Sequence, residues 1–249
     1  SPSGLASGSP EGPQAQADLK IGESLKAMTK AMEAGDEAGF VAPAADKYVF
    51  DRKPDRYLVY VAGPAEWKKW FGGGQEDWVI GYAIETTENR SDIVLRADEI
   101  DGGDAEALMK HEMGHVATRG VPHPSGNAVW WLIEGIAEYV EWDGRGLGGY
   151  DGRQDVRRFL REKRFAGDPA LVAPTDDPDD WEVNADYGIG FYYTRCIADR
   201  FGQDRLLAFT EAVLHDGDVV APAATNTLGG SWPDITKRCL TYTKRAVGL

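Results

Sequence analysis

Cysteine is nearly absent from this chain, with two residues, Cys196 and Cys239, among 249. So low a count excludes a disulfide-dense scaffold, and the two lack the spacing of paired metal ligands. Either one bridge or two buried thiols would account for them, and a bridge would imply an oxidising compartment. Positive charge is also scarce: 27 Lys and Arg stand against 41 Asp and Glu, for a net charge of −14. Such a surface repels phosphate backbones, so nucleic acid is not an expected partner. Anionic membrane surfaces are disfavoured for the same reason. Long apolar runs are missing as well. No stretch reaches the roughly 18 apolar residues that suggest a membrane span, so no transmembrane segment is expected. There is no internal repeat.

What is present suits a globular chain. Hydrophobic residues make up 42% of the sequence, enough to build a core. Residues 1–17 are rich in Ser, Gly, Pro and Ala and read as a flexible tail or linker. A stalk left after a cleaved signal or lipid anchor has this composition, so an extracytoplasmic or secreted location is the expectation. Residues 18–47 form an N-terminal helical segment, in which Ile21, Leu25, Met28 and Met32 recur at helical spacing over 18–35. The remainder, 48–249, reads as the main domain. Strands are predicted at 57–62, 78–84 and 93–96, with turns or loops at Pro64 and Gly72–Gly74. Helices are predicted at about 105–119, 127–141, 153–164, 186–201, 203–215 and 232–246. Strands first and helices later make an α+β arrangement. The acidic, proline-containing stretch from Asp168 to Trp181 reads as a solvated loop, its spacing being unlike that of an EF-hand.

Residues 111–115 read His-Glu-Met-Gly-His within a predicted helix. Residues i and i+4 share a helix face, so His111 and His115 can present two imidazoles to one ion. Glu112, one position round, can reach a metal-bound water without ligating. Glu134 follows His115 by 19 positions, inside the apolar run Trp131-Leu132-Ile133-Glu134-Gly135-Ile136-Ala137-Glu138-Tyr139. A carboxylate buried there is costly unless it is paired or binds a cation. Glu138, one turn on, is placed to accept the free N–H of a ligating histidine and fix its tautomer. A solvated charge is the alternative for Glu138.

His111-Glu112-x-x-His115, a gap of 18 residues, and the Trp-Leu-x-Glu-Gly-x-Ala-Glu helix together resemble the gluzincin metallopeptidases. The resemblance is to MA-type domains related to the M1 aminopeptidases. It implies a zincin-like fold with a small, mostly antiparallel sheet packed on the HExxH helix and a helical C-terminal subdomain. It implies one Zn2+ per chain held by His111, His115 and Glu134, with Glu112 as general base. It also implies that Tyr187, in Tyr187-Gly-Ile-Gly-Phe191, hydrogen-bonds the oxyanion, where a packing role at a helix start is the alternative. The expected substrate is a peptide or protein, and a monomer is assumed.

The motifs themselves occupy only 111–138 and 187–191. The Gly-x-Met-Glu-Asn segment that recognises a free substrate N-terminus in M1 aminopeptidases is not found, so aminopeptidase activity does not carry over. Residues 93–96 are the expected edge strand for an extended peptide. His123 reads as a loop histidine and His215 as a helix-end histidine facing the C-terminal dipole. Three other readings stand beside the peptidase. They are a catalytically silent zinc-binding interaction module, a helical domain with a coincidental HEMGH, and a zincin acting on something other than peptides.

Overall fold

The structure is a computed structural model that describes residues 56–71, 80–87, 90–98, 104–118, 125–142, 144–163, 165–173 and 179–249. The tail 1–17, the segment 18–47, Gly72–Gly74, His123, Asp176 and Asp177 lie outside the described residues. The chain divides into two units, Ser1–Ala117 and Thr118–Leu249. Helix predominates.

In the first unit, three strands form one sheet: β1 (Arg56–Ala62), β2 (Gly81–Thr87) and β3 (Arg90–Arg96), in the order β1-β3-β2. β2 and β3 pair antiparallel, while β1 joins the other side of β3 in parallel, with Val59 opposite Ile93. The sheet is therefore mixed, not mostly antiparallel. The β2–β3 hairpin puts β3 in the middle, and β1 enters along its free side in the same direction. This also corrects the edge-strand expectation, because residues 93–96 lie on the central strand. Ile93, Val94 and Leu95 are consecutive and all fully buried, as in a strand covered on both faces.

Pro64 does not make the expected turn. It opens helix α1 (Pro64–Phe71), where its missing N–H is no loss. Helix α2 (Asp104–Thr118) carries HEMGH. β2 approaches α2 closely: a Cβ on Gly81 would lie 2.3 Å from Glu112 Oε1 and 3.2 Å from Leu108 Cδ1.

The second unit is helical. A 3-10 turn at Gly126–Val129 leads into α3 (Trp130–Trp142), followed by α4 (Arg153–Glu162) and α5 (Asp180–Phe201). Then come α6 (Gln203–Thr210), a π turn (Glu211–His215), α7 (Val220–Leu228) and α8 (Trp232–Val247). The helix α7 has no counterpart among the sequence expectations. Helix α5 starts six residues earlier than expected, because the Asp179 N–H donates to Glu182 Oε2 (3.4 Å) and closes its first turn.

α5 is the axis of this unit and packs against α3, α4, α6 and α8. Its crossing with α3 is made by two glycines. A Cβ on Gly135 would lie 2.4 Å from the Gly190 carbonyl oxygen, and one on Gly190 would lie 2.6 Å from the Trp131 carbonyl oxygen. Cys196 on α5 is disulfide-bonded to Cys239 on α8, with a Cα–Cα distance of 5.5 Å. Among the described residues, no helix is long and apolar enough to cross a membrane.

Candidate metal centre

The two histidines of HEMGH lie one turn apart on α2, as the spacing requires. Their Nε2 atoms are 3.1 Å apart, and the ring planes are nearly perpendicular at 80°. Two nitrogens at about 2.0–2.1 Å from one tetrahedral ion would be separated by roughly 3.3 Å. The observed spacing is close to that, so the pair fits a shared ion. His111 is buried and His115 half-buried. Glu112 is also buried, at 4% exposure, with Gly81 against its carboxylate.

On α3, the half-buried positions include Trp130, Glu134, Glu138 and Glu141, spaced four, four and three apart along one face. Ile133 is also half-buried, while Trp131, Leu132, Gly135, Ile136, Ala137, Tyr139, Val140 and Trp142 are buried. Glu134 thus sits on a carboxylate-bearing face beside a packed core. The donors on α2 are two imidazole nitrogens and those on α3 are carboxylates, which is the N/O mixture that zinc favours.

Glu138 accepts a 2.7 Å hydrogen bond from the Tyr150 hydroxyl, a partner the sequence reading missed. Burial, and then the Glu138 carboxylate, push the Tyr150 phenol well above its usual value, so it stays protonated and donating. Tyr187 is in the second turn of α5, not at a helix start. Its ring meets Trp130 edge-on, with centroids 5.1 Å apart. Trp130 is one turn before Glu134, so Tyr187 packs beside the α3 face that carries the carboxylates. Tyr192 and Tyr193 are packing residues, both fully buried. Their hydroxyls donate to the Leu147 and Gly167 carbonyls. His215 closes the π turn, with Nδ1 2.9 Å from Asp216 Oδ1.

Asp186 is another residue that the sequence did not single out. It is 6% exposed. Burial, and then the Glu182 carboxylate, raise it to about 7, partly opposed by Lys163. The only sequence signal for the Gly135–Gly190 crossing was the presence of glycines inside two helical patterns. For Tyr150, eight residues beyond α3, there was none.

No protein-family model matches the chain, and no curated protein matches it in sequence.

Proposed function

We propose that this protein is a zinc-dependent hydrolase of peptide bonds, built on a zincin-like arrangement of the gluzincin type. The observation that carries the reading is the pair of imidazole Nε2 atoms 3.1 Å apart on α2, with buried Glu112 beside His111. The HEMGH and WLIEGIAEY motifs support it, as does the N/O ligand set of His111, His115 and Glu134. The Cys196–Cys239 disulfide favours an extracytoplasmic location.

His111, His115 and Glu134 would hold a zinc ion, which would supply an acidified water and polarise the scissile carbonyl. Glu112 takes the proton of the attacking water and delivers it to the leaving amine. Tyr187 donates its phenolic O–H to the oxygen that gains negative charge in the tetrahedral transition state. Glu138 accepts the free N–H of a ligating histidine and fixes its tautomer.

The test is zinc analysis of protein purified without chelator, together with cleavage of a quenched peptide library. The proposal expects about one zinc per chain and cleavage that a chelator abolishes. Zinc without cleavage would favour the silent zinc-binding module, and no zinc would overturn both readings. Zinc with no peptide cleavage but with hydrolysis of another amide or ester substrate would keep the chemistry and replace the substrate class.

A further inference from the structure

The Tyr150 side chain occupies a slot carved for it. Its ring stacks on Phe191 with centroids 4.1 Å apart and planes 12° apart. Trp142 and Tyr192 meet it edge-on at 5.4 and 5.5 Å. Two glycines make room for the ring edge: a Cβ on Gly152 would lie 2.8 Å from Tyr150 Cε1, and one on Gly188 would lie 3.3 Å from the same atom. Three aromatic side chains and two missing ones therefore leave this ring little rotational freedom. At its far end the hydroxyl meets Glu138 Oε2 at 2.7 Å. A buried phenol needs an acceptor, but a backbone carbonyl would serve, as it does for Tyr192 and Tyr193. Tyr150 is directed instead at a carboxylate one turn from Glu134.

We propose that Tyr150 is a positioning residue. Held by Phe191, Trp142 and Tyr192, it fixes the Glu138 carboxylate in the orientation that receives a histidine N–H, and so tunes metal affinity without touching the metal. The inference rests on the metal-site reading above and deepens it. The phenol engages Glu138 Oε2, and the carboxylate so held would receive the imidazole N–H. Loss of the hydroxyl lets the carboxylate rotate about its terminal torsion, and the histidine loses a fixed hydrogen-bond partner.

The experiment is competition of the full chain with a chromogenic chelator for Zn2+, and the visible spectrum of the Co2+-loaded protein. The variants are Tyr150→Phe, Glu138→Ala, the two combined, and His115→Ala. Tyr150→Phe keeps the packing and removes only the hydroxyl. It is expected to weaken Zn2+ binding by about tenfold, the low end of what partners of metal ligands contribute, and to shift the Co2+ bands. Its melting temperature should stay within a few degrees of wild type. In the Glu138→Ala background the same change should have no further effect on affinity, because the hydroxyl then has no carboxylate to orient.

If His115→Ala abolishes binding while Tyr150→Phe binds Zn2+ as wild type does, the positioning role is overturned and the metal site stands. An additive effect of Tyr150→Phe on top of Glu138→Ala overturns it as well. If wild type binds no Zn2+, or His115→Ala binds it unchanged, the metal-site reading fails and this role falls with it. Should Glu138→Ala fold poorly, Glu138→Leu serves in its place, since it keeps most of the volume and offers the phenol no acceptor.

Discussion

Replacing Gly135 by alanine sets two physical effects against each other. By helix propensity alone, alanine inside α3 should stabilise by about 1 kcal/mol. The structure gives the opposite sign. The new Cβ would lie 2.4 Å from the Gly190 carbonyl oxygen and 2.5 Å from Thr194 Oγ1, against an ordinary contact of about 3.4 Å. The first of these is backbone in the middle of a 22-residue helix and cannot rotate away. α3 and α5 must therefore separate locally by about 1 Å, and overpacking of this kind costs about 1–3 kcal/mol. With the cost at the upper end because backbone is involved, the net is about 2 kcal/mol of destabilisation. For a unit of this size that is a fall of roughly 8 °C in melting temperature. Thermal unfolding followed by circular dichroism, with the disulfide intact, reads it directly. Adding Thr194→Ala removes the second clash only, so it should recover part of the loss. A melting temperature for Gly135→Ala equal to or above that of wild type would refute the close crossing of the two helices.

Glu112→Gln should keep its zinc and lose hydrolysis by on the order of 10³-fold, as removal of a general base does; a fully active variant would overturn the mechanism. Gly81→Ala puts a methyl where the Glu112 carboxylate lies, and Glu112 is a flexible chain end, so function should suffer more than folding. The expectation is a loss in kcat/KM on the order of 10²-fold, with zinc content retained and a melting temperature within a few degrees of wild type. Replacing both Cys196 and Cys239 by alanine releases a loop with a sequence separation of 43, worth about 4 kcal/mol in the chain-entropy account, measured by urea denaturation. Asp186 holds its proton to about pH 7 in the folded chain but to only about 3.8 when unfolded, so its contribution is intact below about pH 4 and is lost as pH rises towards 7. Asp186→Asn should therefore leave stability nearly unchanged at pH 4 and raise it by up to about 4 kcal/mol at pH 8; equal effects at both pH values would refute the burial argument.

The parts of this molecule that were legible in the sequence are those governed by local periodicity. His111 and His115 fall on one face because a helix repeats every 3.6 residues, and no tertiary information is needed to see it. The apolar run around Glu134 marked α3 for the same reason. The start of α5 was hidden because Asp and Pro dominate 174–180 by composition. The side chain that closes its first turn, Glu182, has meaning only once Asp179 is known to precede the first turn. Strand order was hidden too. Pairing joins residues far apart in sequence, so β1 beside β3 could not be read from either strand alone. The unbroken run Ile93-Val94-Leu95 did carry the signature of a central strand, since an edge strand rarely buries three successive side chains.

Tyr150 and the two glycines of the α3–α5 crossing show a further limit. Their importance lies in what is absent: a Cβ that would strike a carbonyl, or a Cβ that would fill an aromatic slot. An absence has no periodicity and gives no propensity signal. Yet these positions tie the chemistry to the core. Gly135 follows Glu134 directly, Gly188 follows Tyr187, and Gly188 also borders the ring of Tyr150, which holds Glu138. Each carboxylate or phenol named in the proposed mechanism on α3 and α5 therefore stands next to a position where helix packing tolerates no side chain, or on the other end of a hydrogen bond from one that borders it. A substitution that loosens this packing by a few tenths of an ångström moves the site as well as the core. Stability and metal affinity should then fall together across variants of Gly135, Gly188 and Gly190, whereas Tyr150→Phe, which spares the packing, should separate them.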